Sequence, residues 1–338
     1  MFTALFGSVE SGIIYAIMAL GVYLSFRVLD FPDLTVDGSF VTGAAVAATL
    51  IVGGANPVIA TSLAAAAGFI AGCFTGLLHT KGKINSLLSG ILMMIALYSI
   101  NLRIMGRPNV PLLNQETGFT KIAEWGELLG IDAFMNGLLA AIGLEQFSPG
   151  TWTVLLSMIV VTFAIKHLLD RFLLTEVGLA LRATGDNQRM IRSLSANTDR
   201  LIVVGLGISN AMVAFSGALI AQYGSFADVG MGIGMIIIGL ASVIIGEALF
   251  GTKTIVRTTL AVIGGAIVYR IVVSLALRVE FLETGDMKMI TAAIVIIALV
   301  LPKLLEDRKN KKRKMKRQEE RLLEMESAEE EGGKIAAP

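Results

Sequence analysis

Charge is scarce in this chain. Of its 338 residues, 16% are charged and 54% hydrophobic, and the mean hydropathy is +0.74. A soluble domain carries about 25% charged residues, so the shortage excludes an ordinary soluble fold. Cysteine occurs once, at Cys73 inside an apolar run. A lone thiol closes no intramolecular disulfide and argues against a structural metal site. Histidine occurs twice, at His79 and His167, each at the end of an apolar run and without a partner at metal-ligand spacing. Both read as interfacial residues. The spacings of a Ser-His-Asp triad or an H-E-x-x-H zinc site are missing. No catalytic residue, metal ligand or cofactor is therefore expected, and no nucleic-acid partner.

Two strings imitate nucleotide sites. From Gly246 the chain reads G-E-A-L-F-G-T-K-T. A phosphate-binding loop needs Lys directly after the second Gly, and a strand before it; here Thr252 intervenes, between two apolar runs. Gly230, Gly232 and Gly234 likewise lack the strand and helix of a dinucleotide fold.

What the chain has instead is long apolar runs. About 20 apolar residues cross roughly 30 Å of hydrocarbon as a helix. Nine such spans are expected, at about 9–27, 38–53, 57–79, 85–104, 151–169, 200–222, 232–250, 255–277 and 287–302. The fold class is an all-α membrane protein. The 36 glycines fit it, because small residues let membrane helices approach closely. Gly68, Gly72 and Gly76 form one such stripe, read as helix packing. The start of the chain lacks the basic residues of a secretory signal, so the first run is expected to remain as a span. Residues 1–302 read as the membrane domain and 303–338 as a charged tail.

Lys and Arg set the orientation. The tail opens on a basic run from Arg308 to Arg317, which places the C-terminus in the cytoplasm and the protein in the plasma membrane. That run lies where it meets anionic lipid heads. Beyond it the tail turns acidic, as a solvated helix or disordered segment. Counting back, the 166–200 segment with Lys166, Arg171, Arg182, Arg189, Arg192 and Arg200 falls inside. The 105–150 loop falls outside and leans acidic, with Glu116, Glu124, Glu127, Asp132 and Glu145. Spans two to four and seven to nine share an outline with opposite starting sides, the mark of an inverted repeat.

Two polar anomalies stand in the spans. Phe31-Pro32-Asp33 opens the string D-L-T-V-D-G-S-F, running to Phe40. Pro32 interrupts any helix arriving from the first span. On a helix Asp33 and Asp37 would share a face, and Asp37 or Ser39 would cap the next helix. The string is either a capped cytoplasmic turn or a broken helix lining a cavity. Arg270 follows twelve uncharged residues, Thr258 to Tyr269. It either snorkels outward, pairs with Glu10, Asp33 or Asp37, or meets a substrate carboxylate.

The remaining feature is a charged, helix-like island between apolar runs, Thr175 to Leu194. Gly178 and Gly185 permit close approach or a helix break. Asp186, Asn187 and Met190 have the spacing of one helix edge. A short amphipathic segment of this kind suits a groove on a soluble partner.

The island carries a resemblance. Its T-E-x-G-x-A-x-R-A-x-G-D-N-x-x-M from Thr175 is similar to the coupling segment of ABC importer permeases of the branched-chain amino acid and ribose type. Ser195-Ala196-Asn197 stands where Gly-Ile-Asn is usual there. D-L-T-V-D-G-S from Asp33 resembles the D-L-S-V-G-S of the sugar branch, and Asn85-Ser-Leu-Leu-Ser-Gly90 resembles the entry to that family's fourth span. D-L-T-V-D-G-S-F together with V-I-I-G-E-A-L-F-G looks most like the subgroup associated with tryptophan or tyrosine uptake. The likeness covers about 5–302.

The resemblance implies a permease subunit without its own ATPase, working as a homodimer with two cytoplasmic ABC ATPases and an extracellular substrate-binding protein. It implies ATPase coupling through Glu176, Gly178, Arg182, Gly185, Asp186, Asn187 and Met190. Asp33, Thr35, Asp37, Ser39 and Arg270 are the expected substrate-path residues. The implied substrate is an amino acid, an aromatic one by the subgroup's likeness; a sugar or nucleoside is the alternative, and an ion-coupled secondary transporter the alternative of another class.

Overall fold

In the computed structural model, residues 2–141 and 151–276 are described, together with Met289, Ala292, Ala293, Ile296 and Val300. The expected ninth span and the tail fall largely outside that set. The chain divides into two compact units, Met1–Ala292 and Ala293–Pro338; the first holds the helical bundle.

Eleven α-helices and one π-turn make up the described fold. The helices matching expected spans are α1 (Phe2–Tyr23), α2 (Thr35–Val52), α3 (Pro57–Thr80), α4 (Ser86–Met105), α7 (Trp152–Leu174), α9 (Thr198–Tyr223), α10 (Met235–Phe250) and α11 (Ile255–Ala276). With the π-turn Leu24–Val28 that continues α1, seven of these are long and apolar enough to cross a membrane. The protein is an all-α, multi-pass membrane protein. α10 is apolar but has 16 residues, about 24 Å of helix at 1.5 Å per residue.

The core is an antiparallel pair. Ser209 donates to Gly21 O at 2.7 Å and Ser216 to Ile14 O at 2.8 Å, so α9 climbs as α1 descends. α3 packs along α9, and α11 along α1. The Gly68, Gly72, Gly76 stripe is what lets α3 lie so close. A Cβ would stand 2.3 Å from Ala214 Cβ at Gly68, 2.2 Å from Leu206 O at Gly72 and 2.7 Å from Val203 Cα at Gly76.

The described part of the expected outer loop, up to Ala141, has regular structure that a loop reading does not imply. It holds β1 (Asn109–Pro111), α5 (Gly118–Leu129) and α6 (Ile131–Ala141). β1 pairs antiparallel with β2 (Phe226–Asp228), Val110 opposite Ala227. α5 is amphipathic rather than apolar, so a search for spans passes over it. Thr117 caps it by accepting from Thr120 N at 3.2 Å, and Asp132 holds the start of α7 by accepting from Trp152 N at 2.7 Å.

α2 does not continue α1. Leu29 to Leu34 is irregular, and Asp33 within it is fully enclosed. Its Oδ2 accepts from Asn210 Nδ2 at 2.6 Å and its Oδ1 from Thr35 N at 2.9 Å. Asn210 lies halfway along α9, so the break sits at mid-depth, buried in protein as irregular backbone there must be. Asp33 thus precedes the helix and does not share a face with Asp37. Nor does Asp37 or Ser39 cap α2, whose N-cap is Leu34 without a side-chain bond. Asp37 instead caps α10: Oδ2 accepts from Gly234 N at 2.9 Å and Oδ1 from Ile236 N at 2.8 Å.

Both kinds of contact can be tested. Gly72→Val forces a side chain onto the α9 backbone and is expected to cost about 3 kcal/mol, read as a lower melting temperature of the purified protein; an unchanged melt would contradict the close approach. Asp37→Ala strips two amides of their acceptor, a loss of about 1–3 kcal/mol. Hydrogen exchange at Gly234 and Ile236 should then accelerate about ten- to a hundredfold, while the Asn210–Asp33 region keeps its protection.

Candidate functional site

Two regions gather the polar side chains. One is built on α8 (Glu176–Ser193), the helix formed by the charged island. Thr175 starts it, accepting from Gly178 N at 3.2 Å. Leu181, Thr184 and Ile191 face inward. Gly178 and Gly185 are points of close approach: a Cβ would lie 2.1 Å from Phe172 O at the first and 2.1 Å from Val28 O at the second. The break comes two residues after Gly185. Asn187 has φ −152° and ψ 88°, outside helical space, and its Oδ1 accepts from Met190 N at 3.0 Å. Asn187 is therefore a hinge and a cap, and Asp186 and Met190 lie on successive segments rather than on one helix edge.

The outward face of α8 mixes charge with apolar surface. Glu176, Arg182, Asp186, Asn187 and Met190 are exposed, as are Val177, Leu179 and Leu194. The far end is pinned by Arg192, which donates from Nε to Thr198 at 2.8 Å and pairs through Nη2 with Asp199 at 2.6 Å. Ser195 follows with φ +64°, a left-handed conformation that glycine adopts without strain. The departure from Gly at this position therefore sits at the residue where glycine would be easiest.

Between α8 and the end of α1 lies a cavity of about 660 Å³, with Tyr23, Arg27, Asp30, Arg182 and Asp186 in its wall. A second, of about 410 Å³, shares Tyr23, Arg27 and Arg182 and adds Glu247 and Lys253. Arg27 and Glu247 form an ion pair, so Glu247 ties the end of α10 to the π-turn.

The other region lies between α2, α4 and the turn before α10. A cavity of about 430 Å³ there is lined by Asp37, Met94, Tyr98, Asn101 and Ile233, among others. Of the five expected path residues, Asp37 alone lines it. Thr35 is enclosed and bonds Thr75 Oγ1 at 2.8 Å. Ser39 is also enclosed, its hydroxyl without a hydrogen-bond partner. Arg270 lies elsewhere, between α1 and α11. Its guanidinium stands 4.5 Å over the Tyr15 ring and its Nε donates to Ser11 at 3.2 Å. The carboxylates weighed as its partners bond other groups; Glu10, for one, accepts from Tyr223 at 3.0 Å. Partly buried, the cation is stabilised there by the aromatic face and the Ser11 hydroxyl rather than by an acid.

Some polar groups were not singled out from the sequence. Lys166 and Asp170 form an enclosed ion pair inside α7, and Asp170 also accepts from Thr259 at 2.7 Å. Lys166 looked like a loop residue because α7 runs on to Leu174. Asn101, Asn210 and Gln222 are enclosed amides in apolar helices; an amide inside an apolar run is the signal that finds them. Among the described residues no group of three His, Cys, Asp or Glu is placed to hold a metal ion.

The comparisons with known proteins agree with this architecture. The family described as "Branched-chain amino acid transport system / permease component" matches residues 4–300. A tyrosine transport system permease protein of Clostridioides difficile (strain R20291) is 41% identical over 292 residues, 86% of this chain and 89% of that one. The ribose import permease protein RbsC of Escherichia coli (strain K12) is 25% identical, covering 72% and 68%. The high-affinity branched-chain amino acid transport permease LivH of Salmonella typhimurium (strain LT2) is 26% identical, covering 65% and 70%. No solved structure matches the chain. With nearly the whole helical region matched, the chain belongs to the permease-component family of branched-chain amino acid transport systems.

Proposed function

We propose that the chain is the membrane subunit of an ATP-binding-cassette importer for an aromatic amino acid, tyrosine first among them. Two copies form the path, two cytoplasmic ATPases dock on α8, and an extracellular binding protein delivers the substrate. The observation that carries this reading is α8. It is a short helix fastened at Thr175 and Arg192, packed backbone to backbone on the end of α1, and it presents half-exposed Leu179 and Met190 beside Arg182 and Asp186. A kinked helix fastened at both ends, with exposed apolar side chains beside charges on each segment, is what a groove on a soluble partner receives.

The substrate rests on the relatives. Identity to the tyrosine permease is 41%, against 25% to the ribose permease, which supports an amino acid over a sugar. On this reading α8 lies in the cytoplasm, along with the C-terminus, and the β1–β2 side faces outward. Glu176, Gly178, Arg182, Gly185, Asp186, Asn187 and Met190 then serve coupling in two ways. The glycines seat the helix, Asn187 sets its bend, and the exposed side chains meet the ATPase.

The test is made on the complex. Leu179→Glu and Met190→Glu place a charge at an exposed apolar position on each segment of α8, where truncating an interface anchor typically costs about 2 kcal/mol or more. Each is expected to lower ATPase copurification and ATP-driven tyrosine uptake at least about tenfold, with the amount of folded permease unchanged. Uptake that survives ATP depletion while a proton gradient persists would instead identify an ion-coupled carrier.

A further inference from the structure

We infer that the cavity between α2, α4 and the turn before α10 is a subsite for the primary ammonium of the transported substrate, with the apolar body of that molecule lying against the cavity's hydrophobic wall. The inference rests on the amino-acid reading above and adds the position and the recognised group.

The charge of the wall carries the first part. Among the described residues of the lining Asp37 is the one carboxylate, and neither Lys nor Arg contributes. The Asp37 carboxylate accepts amides from Gly234 and Ile236, one on each oxygen, and the Met235 amide is also directed at it. A carboxylate has about four acceptor positions, so one remains for a further donor. The positive end of α10 already has its anion in Asp37, which leaves a substrate carboxylate no vacant amides there. An ammonium meets no such competition.

Asn101 carries the second part. It is fully enclosed, contributes to the cavity wall, and donates through Nδ2 to Gly38 O at 3.1 Å. Its Oδ1 has no hydrogen-bond partner. A buried acceptor left unpaired is costly, and such a group at a cavity calls for an explanation. The side chain's own orientation is fixed, because reversing the amide would set oxygen against the Gly38 carbonyl. An ammonium brings three N–H donors and no acceptor. That matches a wall offering Asp37 and Asn101 as acceptors. Around them Val41, Met94, Ile95, Val229 and Ile233 supply apolar surface, with the ring of Tyr98 beside them. A primary amine on an aromatic or aliphatic body fits this combination; a sugar, with hydroxyls all round, would leave its polar groups against hydrocarbon.

The test uses the assembled transporter with Cys73→Ala and a reporter cysteine at Ser99→Cys, with Ile95→Cys as a second reporter. Both positions are exposed at the cavity. The rate ratio of aminoethyl to sulfonatoethyl methanethiosulfonate should exceed that of a free thiol in solution by about tenfold, as a nearby negative charge requires. L-Tyrosine and tyramine should slow the labelling saturably, by about fivefold or more at high occupancy. The des-amino compound 3-(4-hydroxyphenyl)propionate should not. Asn101→Leu should abolish protection by tyramine. Asn101→Asp keeps the acceptor and, as the neutral acid, a donor for Gly38 O, so protection should persist; loss in both variants would assign Asn101 a purely structural role and overturn its place in the subsite. Equal protection by the des-amino compound, or a rate ratio no higher than that of the free thiol, overturns the inference outright. A complex that accumulates no tyrosine with ATP fails the transport reading whatever the labelling shows. One that transports tyrosine while its labelling ignores tyramine fails the subsite alone.

Discussion

The carboxylate of Asp37 is the joint on which the two short helices depend. α2 and α10 both begin in the interior, after irregular backbone, and their first turns meet. Each helix start carries unsatisfied amides and the positive end of a dipole. Two such ends pointing at one place repel and leave donors without water. One carboxylate on the first turn of α2 meets both needs. It lies at the favourable end of its own helix, and it accepts two amides from the other. Charge-assisted bonds of this kind are roughly twice as strong as neutral ones, and in hydrocarbon the alternative is a bare amide.

The pair α1 and α9 provides the frame in which that joint is possible. They run antiparallel, cross-linked by Ser209 and Ser216 onto the α1 backbone. α3 lies along α9 through its glycines, and α11 lies along α1. α3 and α11, the middle helices of the two expected triplets, thus pack on α9 and α1, the helices that precede the opposite triplets. Asp33 completes the frame at mid-depth. It bonds both Asn210 of α9 and the start of α2, so the broken segment is fastened to the axis rather than left in a cavity.

The legible part of this fold was the part encoded by composition. Eight apolar runs are found as helices close to their expected places, because a helix that faces lipid or other helices must be apolar along its length. The glycine stripe on α3 was legible for the same reason. What a linear reading could not supply was partnership across long separations. Asp37 and Gly234 are 197 residues apart, and a capping residue is normally sought next to the helix it caps. Asp33 and Asp37 would share a face only on a continuous helix; Pro32 and the buried Asp33–Asn210 bond keep Asp33 ahead of the helix, which starts at Thr35, three residues before the expected span. Arg270 was legible as an anomaly but not in its role, since cation–π stacking on Tyr15 leaves no pattern in a chain where the two lie on different helices. In α8 the helix was visible and its hinge was not. Gly185 was the natural suspect for a break, yet it is needed for contact with Val28, and Asn187 bends the chain because its side chain caps the turn that begins there.

α10 is held at both ends, and the two ties differ in kind. At the cavity end Asp37 accepts backbone amides within half-buried surroundings. At the α8 end Glu247, 16% exposed, pairs with Arg27, 53% exposed. That tie joins two side chains and is open to water on the arginine side, whereas the other is fixed by the backbone of α10 itself. Arg27 adjoins Val28, and Val28 O faces Gly185 with no side chain between them. A displacement of α8 therefore bears on the π-turn backbone directly, with no flexible group to absorb it. Arg27 lies next along the chain, so its pair with Glu247 is the contact through which the π-turn meets the end of α10, opposite the end that Asp37 holds.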